Sequence, residues 1–257
     1  MVYIVSKRII QVLLLLGALA WTFSYFQKDK LPAPEQIDER LYQEPQQTKT
    51  EATPFIKQTG DIEYTIKPLF DYELYGLVGS FHNSESWWDY YHQEWSDYLN
   101  VKDLCVIWGD NIKSGVYQDM KFASGSWTCY AEFKSGTNQV EWDKFKYSQL
   151  SNNHLLAGEK DMNKQIMAAQ TGDQVHLKGY LAEYSHGSGF ERGSSISRTD
   201  RGNGACETIY VTDFEIIKKG EEIWWYVYRY VRYIIAVCLI LLFISLFRDP
   251  AKNGEDE

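Results

Sequence analysis

The chain has 257 residues and a formal net charge of −9. That balance argues against general binding to nucleic acid, which needs a basic face to displace counterions, and against adhesion to an anionic lipid surface. It holds 9 Trp, 19 Tyr and 12 Phe, and membrane-interface belts account for part of that aromatic excess.

In chain order, residues 1–8 carry Lys7 and Arg8 and no acidic residue. An apolar run follows over 9–26, close to the roughly 20 residues a helix needs to cross the hydrocarbon core. The cations before it assign the N-terminus to the cytoplasm. Gly17-Ala18-Leu19-Ala20 has the small residues of a signal-peptide cleavage site. The apolar run continues through Trp21 to Phe26, so the segment reads as an uncleaved signal anchor.

Residues 27–60 carry Pro32, Pro34, Pro45 and Pro54 among Gln, Thr and mixed charge, and read as an extended linker. Residues 61–219 read as a β-rich domain. Ile62, Tyr64 and Ile66 alternate with Glu63, Thr65 and Lys67, a strand signal that Pro68 ends. A second strand is expected over 72–81, with Gly76 and Gly79 marking a bend or bulge. Trp88, Tyr91, Trp95 and Tyr98 recur at helical spacing and predict a helix over 87–99. Strands follow over 104–108 and 127–133, then a short helix over 162–169. Gly172-Asp173 turns the chain into a strand over 174–184, and the last strand runs over 208–217.

The segments GDQVHLKGYLAEY and TIYVTDFEI are similar to the closing strands of an OB-type barrel. That resemblance covers about 45 residues, rests on strand texture, and carries no functional content. The fold class expected is mainly β (α+β): a small, partly open OB-like barrel with short helical insertions, flanked by two transmembrane helices.

The second apolar span covers 223–247 and is driest from Ile234. Trp224, Trp225, Tyr226, Tyr228, Tyr230 and Tyr233 lie where an interfacial belt belongs. Arg229 and Arg232 enter on the outer side, where long side chains can reach headgroups. The tail over 248–257 then returns to the cytoplasm, and 61–219 faces outward.

Of the four cysteines, Cys238 lies in the second span. Cys105 and Cys129 lie in two strand segments, either as a bridge suited to an oxidising compartment or as two buried thiols in adjacent strands. A bridge would close a loop of about 25 residues, worth about 3 kcal/mol in the chain-entropy picture. Cys206 is then unpaired.

Three places can carry function. The loop over 185–205 is rich in Gly and Ser and holds Arg192, Arg198 and Arg201. It reads as an anion-recognition loop or as a mobile connection. It matches neither the phosphate loop G-x-x-x-x-G-K-[ST] nor the G-x-S-x-G elbow. Cys206, at the exit of that loop, can form a nucleophilic site with His154 or His186 and an aspartate, with Asp200 and Arg198 nearby in sequence. The aromatic stretch with Trp87, Trp88, Tyr91 and Trp95 can pack on the domain, anchor a protein interface or stack on a glycan. His82 and His92 flank Glu85, Asp89, Glu94 and Asp97, but no close ligand pair of a recognisable zinc motif occurs, so neither metal nor cofactor is expected.

The function expected is a non-enzymatic, membrane-tethered binding or assembly factor of the cell envelope. It would sit in the inner (plasma) membrane with its main domain on the periplasmic side. Its partner would be another envelope protein, or a glycan. The alternative is an envelope hydrolase or transferase with a site around Cys206, His154, Asp200 and Arg198.

Overall fold

The computed structural model describes residues 2–84, 86, 89–200 and 205–247. The chain divides into two compact units, one holding both termini and the other spanning Leu31–Gly220.

The terminal unit pairs α1 (Val2–Gln27) with α6 (Glu222–Phe247). Within them, Lys7–Gln27 and Glu222–Ser245 are long and apolar enough to cross a membrane. Their contact is made by a small residue and by ring packing, the means by which apolar helices associate where lipid surrounds them. Gly17 supplies the first: a Cβ there would lie 3.1 Å from Ile235 Cγ1. Trp21 stacks on Tyr228 at 5.6 Å, and Phe23 meets Trp224 edge-on at 5.0 Å.

The larger unit begins with β1 (Gln46–Lys49), β2 (Phe55–Thr59) and β3 (Ile62–Asn83), then a one-turn α2 (Tyr90–Glu94) and β4 (Asn100–Ile107). Next come α3 (Asp110–Lys113), the hairpin β5 (Met120–Ser124) and β6 (Cys129–Phe133), and α4 (Gln139–Trp142). The rest is β7 (Leu150–Leu156), α5 (Lys160–Ala168), β8 (Gln174–His186), β9 (Phe190–Arg192) and β10 (Glu207–Lys218). Eight strands form one large mixed sheet among the described residues, and β5 and β6 form a separate two-stranded sheet.

The pairings inside the large sheet run from β3 to β4, β7, β10 and β8, and then from β8 back to β3. All are antiparallel except β7 with β10, which run parallel. Residues inside this circuit alternate with residues outside it, as strand geometry requires. Leu74, Val106, Leu155, Leu177 and Ile209 face inward and form the main core, closed by Ile166 of α5. Lys102, itself buried, donates from Nζ to the carbonyls of Met167 and Ala169 at the C-terminal end of α5.

Three expectations change. Residues 27–60 are not an extended linker. From Leu31 onward they pack on the sheet, with Leu41 fully buried beside Leu77 and Ile107. Pro34 opens a short 3-10 turn there, and polar groups find distant partners. Tyr117 Oη donates to the Pro32 carbonyl at 2.8 Å, and Trp108 Nε1 donates to Glu44 at 2.9 Å. The helix expected over 87–99 shrinks to Tyr90–Glu94, because Asp89 caps its start and Ser96, at φ +54°, turns the chain out of the helix. The strand expected to stop at Pro68 instead continues. The proline sits where the β3–β8 register shifts between Pro68 and Phe70, a place that tolerates its missing N–H.

The expected helix over 162–169 corresponds to α5, and the two segments likened to closing strands are β8 and β10, which pair. The Cys105 and Cys129 sulfurs lie within disulfide distance and join β4 to the hairpin rather than to an adjacent strand of the same sheet.

Candidate functional site

Alternation along β4, β7 and β10 sends a second set of side chains away from the core. Asp103 pairs across the ladder with His154, and His154 with Thr208. One step along, Cys105 pairs with Asn152, and Cys206 stands just before the first paired residue of β10. Of these, Asn152, His154, Cys206 and Thr208 floor a cleft of about 1050 Å³, with Asp103 buried behind His154. Its walls come from elsewhere: Trp95 from the segment after α2, Trp127 from the β5–β6 turn, and Phe190 and Arg192 from β9.

The aromatic wall is continuous. Trp95 stacks on Trp127 at 4.9 Å, Trp127 stacks on His92 at 4.7 Å, and the Arg192 guanidinium lies 4.5 Å above the Trp127 ring. Cation–π contact of this kind fixes both groups.

Beneath the wall runs a buried polar chain. His82 Nε2 and His92 Nδ1 both meet Asp89 Oδ2, at 2.6 and 2.7 Å. Asn100 Nδ2 reaches His92 Nε2 at 3.0 Å and Asp103 Oδ1 at 2.9 Å. The same Asp103 oxygen meets His154 Nδ1 at 2.6 Å. On the far side of the ring, Arg192 Nη2 lies 3.2 Å and Asn152 Nδ2 3.4 Å from His154 Nε2. Arg192 also approaches Asp97, at 3.7 Å, and Asp97 accepts from Tyr184 Oη at 2.6 Å.

The electrostatics follow from burial and pairing. Burial disfavours charge on His154, but Asp103 outweighs it and the ring is raised to about 9. Burial pushes the Asp103 carboxyl up, yet His154 and Asn100 hold it below its ordinary value. Burial raises Asp97 above the usual carboxylate range, with the Tyr184 hydroxyl and Arg192 working the other way.

The sequence candidates separate on this geometry. Cys206 and His154 both line the cleft. Cys206 Sγ donates to the Trp127 carbonyl at 3.5 Å and accepts from Asn152 Nδ2 at 3.6 Å. The carboxylate on His154 is Asp103, not Asp200. Asp200 lines the cleft but accepts from Ser195 Oγ at 2.7 Å. His186 is spoken for by the Trp95 carbonyl at 2.9 Å. Arg192 belongs to the site, whereas Arg198 is a strut outside it. Arg198 donates to Tyr72, Glu207 and Gln47, because the buried Glu207 carboxylate needs a cation. Burial pushes that carboxyl up to about 7 despite Arg198.

Trp95 and Tyr91 reach the wall, Tyr91 by its contact with Trp127 at 5.7 Å. Trp87, Trp88 and Arg201 lie outside the described residues. Asp103 was not singled out from sequence, and Asp97 stood there only among the acidic residues grouped with His82 and His92. The one signal for Asp103 was an aspartate two residues before Cys105 in a strand that turns out buried along its whole length.

No family model matches the chain, and no curated protein and no solved structure matches it either.

Proposed function

We propose that this is an integral membrane protein whose β-rich unit is held on the extracytoplasmic side of the inner membrane as a tethered binding or assembly factor. Lys7 and Arg8 before the first span support that orientation. The Cys105–Cys129 pair suits an oxidising compartment.

The unit reads as an OB-like barrel. The five-strand circuit, the parallel β7–β10 pair and α5 between β7 and β8 support this. In such barrels ligands meet the face of strands two and three and the loops joining strands one to two and four to five. Counted around the circuit, those are β4, β7, the 84–99 segment and the 187–206 loop.

The observation that carries the reading is the cleft itself, which lies on that face between those two segments and is walled by Trp95, Trp127, Phe190 and Arg192. Rigid rings beside one guanidinium are the usual anchors of a protein interface, so the occupant is a segment of another envelope protein. A photo-crosslinking residue at position 95, in intact cells, then yields one discrete protein adduct. The adduct is lost in Arg192→Ala while the melting temperature holds. No adduct, or one indifferent to Arg192, removes the reading, and adducts to cell-wall sugar favour a glycan instead.

One observation favours an enzymatic reading: His154, held by Asp103, and the half-buried Cys206 thiol line the same cleft, a base and a nucleophile in one site. Cys206→Ser discriminates. If it abolishes the cellular phenotype with folding and the crosslink intact, turnover replaces binding.

A further inference from the structure

The buried chain ends, away from Cys206, in a cluster that the cleft does not use. We propose that His82, Asp89 and His92 form a zinc site.

The donor atoms are already gathered. The His82 and His92 ring nitrogens both converge on Asp89 Oδ2, and all three ligand atoms lie within 4.8 Å of one another. The residues come from two places, the end of β3 and α2 with its N-cap, so the cluster ties that short helix to the sheet. Asp89 is shaped for both tasks. Its Oδ1 accepts from the His92 backbone N–H at 3.0 Å and caps α2, which leaves Oδ2 for the cluster.

The chemistry fits zinc: two imidazoles and one carboxylate are a borderline donor set. Zinc–nitrogen bonds of about 2.0–2.1 Å place tetrahedral ligand atoms about 3.3 Å apart. Each O–N contact therefore opens by about 0.6 Å as the ion replaces the shared hydrogen atoms. Three protein ligands leave a fourth position for water or another ligand, as in sites that are not purely structural.

The surroundings also provide for the ion. Zinc on His92 Nδ1 moves that ring's proton to Nε2, which then needs an acceptor. Asp97 Oδ2 stands 3.9 Å from Nε2. A carboxylate behind a ligating histidine holds its tautomer and orientation. Asp89 and His92 are buried, and His82 is one-fifth exposed, which gives an entry path.

The test uses the full chain in detergent micelles, stripped with chelator and titrated with Zn²⁺ by calorimetry and with Co²⁺ by visible absorption. One equivalent binds, and cobalt gives the intense bands of a tetrahedral site. His82→Ala lowers the affinity at least tenfold without changing the metal-free circular dichroism spectrum. His176→Ala, at a histidine paired with Glu73 away from the cluster, changes nothing. Failure of the folded wild-type chain to bind either ion overturns the proposal, as does binding that His82→Ala leaves unchanged. His92→Ala removes a buried ring that stacks on Trp127, so the partly exposed His82 decides the matter if that variant misfolds. The cleft reading stands or falls separately, because neither the crosslink at position 95 nor its loss in Arg192→Ala depends on metal.

Discussion

Asp103 and His154 face each other across the β4–β7 ladder with both side chains about 1% exposed. A buried pair of this kind is weak evidence for stability in itself, since desolvation offsets much of the attraction. Removing one partner is costly, because the other charge is left without compensation. Asp103→Asn is therefore expected to destabilise the chain by about 3–5 kcal/mol near neutral pH. The pH dependence has a definite sign. His154 titrates near 9 in the folded chain against 6.5 for a free ring. Its contribution is complete below about 6.5 and is lost as pH rises through about 9. Asp103 is lowered from 3.8, so its contribution is present above that value and is lost as pH falls through the lower folded one. The gap in melting temperature between wild type and Asp103→Asn should be widest near pH 5–6.5 and close above pH 9. A gap that widens in alkali would mean that the ring is neutral in the fold, as donation from Arg192 to Nε2 alone would require.

At the scale of elements, the alternating strands were legible, because alternation of apolar and polar residues directly reports which side faces the core, whereas β1, β2, β5, β7 and β9 were not foreseen. Alternation located β8 and β10 and the start of β3. Gly179 shows how tightly the closing pair is built: a Cβ there would sit 2.1 Å from the Tyr210 carbonyl oxygen. Backbone cannot give way as a flexible side chain can. Gly179→Ala is expected to cost about 3 kcal/mol, the upper end of overpacking effects, or more. Urea denaturation measures it, and a change under about 0.5 kcal/mol, the scale of ordinary surface substitutions, would show that β8 and β10 are not so closely apposed. Other elements were illegible for identifiable reasons. Trp88, Tyr91, Trp95 and Tyr98 have helical spacing, but Trp95 packs on Trp127 of the hairpin turn, a contact that local periodicity cannot foresee. The stretch from Leu31 to Tyr42 has too few apolar residues to fold alone, and it folds because the sheet offers Leu41 a pocket. His154 was visible as a candidate, but its partner lies 51 residues away. Only the register of β4 on β7 selects Asp103 over Asp200.

For the whole molecule, the proposal turns on which side of a membrane would receive the β-rich unit. Two helices are long and apolar enough to span, and if both cross, the segment between them lies on a single side. In the proposed orientation Lys7 and Arg8 follow the cation rule, while Arg229 and Arg232 at the start of the second span pull against it. Long translocated segments obey that rule weakly, so the proposal rests on the first span. The turn between β2 and β3 offers a clean reporter, since Gly60 and Asp61 are exposed and Gly60 sits at φ +58° with nothing within 4 Å of where a Cβ would lie. In a Cys206→Ser background, Asp61→Cys should react with a membrane-impermeant maleimide applied to intact spheroplasts, without lysis. Non-reducing mass mapping of the same material should find Cys105 joined to Cys129, because an oxidising compartment preserves such a pair and a reducing one does not. Labelling that appears only after lysis, together with two free thiols, would put the unit in the cytosol. The cleft would then have to receive a cytosolic partner, and the crosslink at position 95 would report it.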